Sequence, residues 1–239
     1  MKNKRIIITV MAAALVAVIG VGATLAYFTD SDEAKNVLTL GSVDIDLDEP
    51  NYKGDEEYEN IVPGDVIEKD PIITLASGSE DAYVRMKLEI DIKKLVFDES
   101  GNEVVEEKEL DADLEAAAIK DLMDGTADTV GLTEQIEANG WYYNETDDYY
   151  YFSEKLTQEN KEVLFFTHVE IPYSWGNKMA ETIIRLDVFA EAIQADNYTP
   201  VTATITVGGT EKEMITSWTF KDGTPITGED IEKYEAATN

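Results

Sequence analysis

The chain has 239 residues, 44% of them hydrophobic, and carries 50 acidic against 19 basic side chains for a net charge of −31. Such an excess of carboxylates repels phosphate, which excludes nucleic acid as a partner, and it excludes adhesion to anionic lipid on the same ground. There is no cysteine, so disulfides, thiolate metal sites, cysteine nucleophiles and a lipid-modified cysteine are excluded, and the core alone must hold the fold.

The chain begins with Lys2, Lys4 and Arg5, followed by an apolar run from Ile6 to Gly22. Thr24 and Ala26 are small and two positions apart, which suits the shallow pockets of a signal peptidase. We read residues 1–26 as a signal peptide cut after Ala26, which frees Tyr27 and ends contact with the membrane. Ile6–Ala26, at about 1.5 Å per residue, is also just long enough to span a bilayer, so a retained anchor is the alternative. Residues 27–239 then form one domain.

Residues 27–47 read as a polar arm running into a strand. Leu38 and Leu40 alternate with Val37 and Thr39. The phase slips at Gly41-Ser42, and Val43, Ile45 and Leu47 then alternate with Asp44, Asp46 and Asp48. Period-two apolarity means a strand with one buried face, and the glycine at the slip predicts a bulge or bend. Val62-Pro63-Gly64-Asp65 is a turn, and Val66–Leu75 is a strand region interrupted by Pro71. The clearest strand follows: Ala82, Val84, Met86, Leu88, Ile90 and Ile92 face the core, while Tyr83, Arg85, Lys87, Glu89 and Asp91 face water.

Residues 97–160 break that rhythm and read as an insertion at one end of a sheet. Asp98–Glu109 is an acidic loop. Leu110, Leu114, Ala118 and Leu122 line one face of a helix. A second helix covers Thr133–Asn139 with Gly140 closing it, and Trp141–Tyr143 and Tyr149–Phe152 flank an aromatic hairpin. Lys161–Ile171, Thr182–Ala195, Val201–Val207 and Met214–Phe220 are further strands, and Thr227 starts a short C-terminal helix. Many short strands without alternating helices predict an all-β antiparallel sandwich with a helical insertion.

Chemistry is sparse. The one histidine, His168, lies in a strand, and no HExxH, nucleophile elbow or phosphate loop is present. No catalytic residue, metal ligand or cofactor is assigned. Three acidic clusters, at Asp44–Asp48, Asp98–Glu103 and Asn144–Asp148, lack the EF-hand spacing, which leaves weak calcium binding as the alternative to a solvated surface.

Several islands carry a resemblance: Gly22-Ala23-Thr24-Leu25-Ala26-Tyr27-Phe28-Thr29-Asp30, Glu33-Ala34 with Asn36, Gly41-Ser42-Val43-Asp44-Ile45, Val62-Pro63-Gly64-Asp65, Ala82–Lys87 and Ala190–Asp196. Together they make the chain resemble the TasA/camelysin family, whose members are exported by Gram-positive bacteria with a SipW-dependent type of signal peptide. The resemblance implies a jelly-roll-like fold and a SipW-type signal peptidase as processing partner. It implies a secreted protein of the cell surface or biofilm matrix that assembles into fibres, with itself or a related matrix protein, by N-terminal strand addition. Leu38, Leu40, Val43, Ile45 and Leu47 are then the buried face of the donor strand. The alternatives are pairing of that strand within its own subunit, a non-polymerising surface or adhesion module, and a camelysin-like metallopeptidase, for which an HExxH is wanting.

Overall fold

The computed structural model describes residues 43–53, 61–97, 103–207 and 209–226. Contacts divide the chain into Met1–Ala34 and Lys35–Asn239, and every described residue belongs to the second unit. Its strands are β1 Ile45–Asp48, β2 Val66–Glu68, β3 Ile72–Leu75, β4 Ala82–Phe97, β5 Glu103–Glu109, β6 Gly125–Thr126, β7 Thr129–Val130, β8 Trp141–Asn144, β9 Tyr149–Phe152, β10 Glu162–Leu164, β11 His168–Glu170, β12 Thr182–Gln194, β13 Tyr198–Val207 and β14 Thr210–Phe220. Helix α1 spans Ala112–Asp124, α2 spans Leu132–Ala138, and a 3-10 segment runs from Tyr173 to Met179.

The central sheet has the order β12-β4-β9-β8, with β5 pairing the far end of β4. Its spine is the antiparallel ladder of β4 and β12, continuous from Ala82 opposite Gln194 to Lys94 opposite Thr182. A second sheet runs β1-β3-β10, and β2 pairs with β11, β13 with β14 and β6 with β7, all antiparallel. The all-β class expected from the alternation is the class observed. The core-facing residues of β4 and β12, among them Val84, Met86, Ile92, Val188 and Ala190, pack with Ile45, Ile73, Leu75 and Val163 of the second sheet. Ala118 and Leu122 of α1 and Leu132 and Ile136 of α2 complete that core.

Local chemistry accounts for the breaks between elements. Gly64 takes φ +98° in the turn before β2, where the Asp65 amide donates to the Val62 carbonyl at 3.1 Å and the Val62 amide donates to Asp65 Oδ2 at 2.9 Å. Pro71 has no N–H to offer a ladder, and the chain changes sheets across it: β2 joins β11, whereas β3 joins β1 and β10. Helix α1 starts where the Asp111 carboxylate accepts the Leu114 amide at 3.2 Å, the usual cap for an orphan first-turn donor.

Four expectations are corrected. Lys161–Ile171 is two strands, because Phe165 and Phe166 are consecutive and both fully buried, so the chain passes between sheets there. The supposed acidic loop ends in β5, whose Glu109 pairs with Lys93 of β4 at 2.6 Å. The aromatic hairpin is no appendage: β9 pairs directly with β4, Tyr151 opposite Arg85 and Tyr150 opposite Met86. The face of β4 assigned to water is covered at its first residues by the β13–β14 hairpin, through a second cluster of Tyr149, Tyr151, Ile193, Tyr198, Ile215 and Trp218. The expected C-terminal helix from Thr227 lies outside the described residues.

Candidate functional site

Two places combine position with chemistry. The first is the N-terminal edge. Val43 and Ile45 are buried and Leu47 packs partly against the core, as their alternation requires. Ile45 lies opposite Leu75 and Asp48 opposite Ile72 in an antiparallel ladder within the same subunit. The Asp44 amide donates to Ser79 Oγ at 2.8 Å and its carbonyl accepts the Ala76 amide at 2.9 Å. Two of the five assigned donor-strand residues, Ile45 and Leu47, therefore sit in their own subunit's second sheet, and Val43 is buried just before it. Leu38 and Leu40 lie outside the described residues, as do the processing residues Thr24, Ala26 and Tyr27. Asp44, Asp46 and Asp48 are exposed side by side.

The second place was not read from the sequence. Arg85 and Glu191 face each other across the β4–β12 ladder and are only 4% and 2% exposed. Arg85 Nε donates to Glu191 Oε2 at 2.7 Å, and its two terminal nitrogens reach Glu191 Oε2 at 2.6 Å and the Tyr151 hydroxyl at 2.7 Å. The Tyr149 hydroxyl donates to Glu191 Oε1 at 2.8 Å, and the Tyr151 hydroxyl donates to Asp147 Oδ2 at 2.5 Å. The guanidinium lies 3.9 Å from the Tyr149 ring centre and 5.1 Å from that of Trp218, within cation–π range. A buried charge is tolerable only when paired and hydrogen-bonded on all sides, and this one is.

The electrostatics follow from that enclosure. Burial alone would lower the pKa of Arg85, but Glu191 and Tyr151 carry it above its ordinary value. Burial, reinforced by Glu191, raises the Tyr149 phenol, and burial with the bond to Asp147 raises that of Tyr151. At the hairpin tip, the hydrogen bond to Asp148 pushes Tyr143 up to about 12. The group holds its charges in a set of mutual bonds, so it is a fixed polar rivet between sheet and hairpin. Its signal was present all the same: Arg85 and Glu191 each fall inside an island that carried the family resemblance.

The described residues form an antiparallel all-β protein in which β1 lies at the rim of one sheet. The chain belongs to the camelysin metallo-endopeptidase family, whose model matches residues 1–126. Neither curated proteins nor solved structures gave a match. The matched stretch ends in β6, so Arg85 lies within it and Glu191 beyond it.

The family's name implies a metal, and the described residues do not fit one. His168 Nε2 lies 3.0 Å from Glu170 Oε1 and its Nδ1 lies 2.7 Å from Thr167 Oγ1, so both ring nitrogens are engaged. Among the described residues no group of three or more histidine, aspartate or glutamate side chains is placed to hold an ion. Among the same residues no helix is long and apolar enough to cross a membrane.

Proposed function

We propose that this chain is an exported structural protein of the bacterial surface or biofilm matrix, without enzymatic activity, and that it assembles into fibres when the N-terminal arm of one subunit adds as a strand to the next. The observation that carries the reading is the division of the N-terminal strand. Its second half, from Ile45, pairs within its own subunit's sheet, with Val43 buried just before it. Its first half, with Leu38 and Leu40, repeats the alternation immediately upstream. Cleavage after Ala26 leaves Tyr27–Ser42 as an arm with one end anchored and the other released. Main-chain bonds from such an arm supply affinity, and alternate side chains supply specificity. A head-to-tail contact of this kind does not close, and so propagates. The high negative charge keeps free subunits dispersed, and salt or divalent cations relieve it.

Two forms of the protein test the reading, one starting at Tyr27 and one at Val43, the second of which keeps every described core residue. Electron microscopy and light scattering should show fibres from the first and monomers from the second. Monomers from both, across salt and calcium concentrations, would leave a non-polymerising surface module as the better description. The peptidase in the family's description is tested alongside: casein cleavage abolished by a chelator would refute the non-enzymatic reading.

A further inference from the structure

Among the described residues β12 pairs with β4 alone, along its whole length from Thr182 to Gln194. Its other edge is open to them: no backbone hydrogen bond from Ile183 to Ile193 leads to a described residue outside that ladder. An open edge is a template for another strand, and neither proline, glycine nor bulge interrupts this one. The core face beside it is unfinished. Ile184 and Leu186 of β12, like Leu88 and Ile90 of β4, are only partly buried at the margin of the core. On the opposite face Asp187 lies across the ladder from Glu89, and like charges directly opposite are destabilising. Glu89 pairs with Lys87 at 2.6 Å, whereas among the described residues no cation is paired with Asp187.

We infer that this edge binds the β12 edge of a second copy of the chain, antiparallel, about a two-fold axis at Leu186. The strand's own sequence selects both occupant and register. With Leu186 facing its counterpart, Arg185 of each copy falls opposite Asp187 of the other, Ile184 opposite Val188, and Ile183 opposite Phe189. Facing side chains on paired strands lie about 4.5–5.5 Å apart at Cβ, so both charged pairs are within reach. Asp187 then gains a cation that its own subunit does not supply. Arg185 holds Asp91 at 3.5 Å and Glu107 at 2.9 Å, yet its side chain is 38% exposed and has donors to spare. Moving the axis by one residue sets Arg185 against Arg185, or Asp187 against Asp187. The pairing covers the unfinished aliphatic margin of both copies with one continuous sheet. Each copy carries a charge of −31, so a contact this small is transient. It uses nothing of the N-terminal arm and stands apart from the fibre reading: a two-fold contact closes on itself and gives pairs, not filaments.

The absence of native cysteine lets one substitution trap a transient pair. In the full processed chain starting at Tyr27, Leu186→Cys places two thiols at the axis with Cα atoms about 4.5–5.5 Å apart, within disulfide range. Ile90→Cys is the control. Ile90 lies opposite Leu186 on β4 and is likewise partly buried, but its two copies stand three strand spacings apart, about 14 Å, too far to bridge. Under mild oxidation Leu186→Cys should give about tenfold more disulfide-linked dimer than Ile90→Cys; equal yields overturn the inference. Adding Asp187→Lys to Leu186→Cys sets a lysine opposite Arg185 of the other copy. It should cut the yield about tenfold with no fall in melting temperature, because it also relieves Glu89. A yield unchanged by Asp187→Lys overturns the pairing. Fibres without the cross-link uphold strand addition and remove the pair, whereas the cross-link without fibres does the reverse.

Discussion

Arg85 and Arg185 occupy mirror positions on the same two strands and the same sheet face. Arg85 of β4 lies opposite Glu191 of β12, and Arg185 of β12 lies opposite Asp91 of β4. The first pair is sealed under the β13–β14 hairpin, with the arginine side chain 5% exposed; the second lies where no hairpin covers the sheet, with its arginine side chain 38% exposed. Arg185 reaches Asp91 at 3.5 Å and also pairs closely with Glu107 of β5. The same arginine–carboxylate chemistry is thus an enclosed network at one end of the ladder and a solvated rim at the other. What differs is the layer placed over it, and energy follows the layer: removing one partner of a buried pair strands the other charge, whereas an exposed pair is screened by water.

The comparison is sharpest at Arg85. Arg85→Ala should lower stability by about 3–5 kcal/mol in urea unfolding, because Glu191 is left buried without a counter-ion. The double variant Arg85→Met/Glu191→Leu should recover most of that loss, and a double variant as damaged as the single one would mean that the cost is lost packing. A smaller effect is expected in alkali. The Tyr149 and Tyr151 phenols have pKa values raised above the 10.0 of a free tyrosine. The unfolded chain therefore releases those protons first, and their contribution to stability is whole below pH 10 and lost as pH climbs through the raised values. Tyr151→Phe should flatten that fall, and a wild-type stability that holds level above pH 10 would contradict the enclosure. Smaller again is Trp218→Phe. The Trp218 indole nitrogen is buried without a hydrogen-bond partner among the described residues, so removing that unsatisfied donor should offset the smaller ring and leave stability within about 1 kcal/mol. Last, Arg185→Ala should cost under about 1 kcal/mol and less still in high salt; a loss matching that of Arg85→Ala would erase the distinction between the two ends.

The course of β4 and β12 was legible because alternation states which face a residue takes. Whether a second layer lies over that face is not in the alternation. Arg85 and Arg185 follow the same pattern and receive opposite environments, and the covering strands arrive from beyond residue 197. The division of Lys161–Ile171 was hidden for a related reason: adjacent Phe165 and Phe166 are both buried, which period two cannot produce and a change of sheet can. The β5 strand was masked by composition, since a run of glutamates reads as loop until its partner, Lys93, is placed beside it. At the candidate site, Val43 and Ile45 were correctly placed on a buried face. The sequence did not distinguish a sheet within the subunit from one shared with a neighbour, because both satisfy the same backbone donors.

The Arg85–Glu191 pair joins residues 106 apart along the chain, and the whole β4–β12 ladder shares that wide separation. Loop closure over such a distance is entropically expensive and slows folding. One edge of the longest strand of the central sheet therefore waits for its partner until the last quarter of the chain is available. In a chain synthesised from its N-terminal end, that edge of β4 stands open until β12 arrives, and the charged and aromatic side chains of the strand give some protection against premature pairing during that interval.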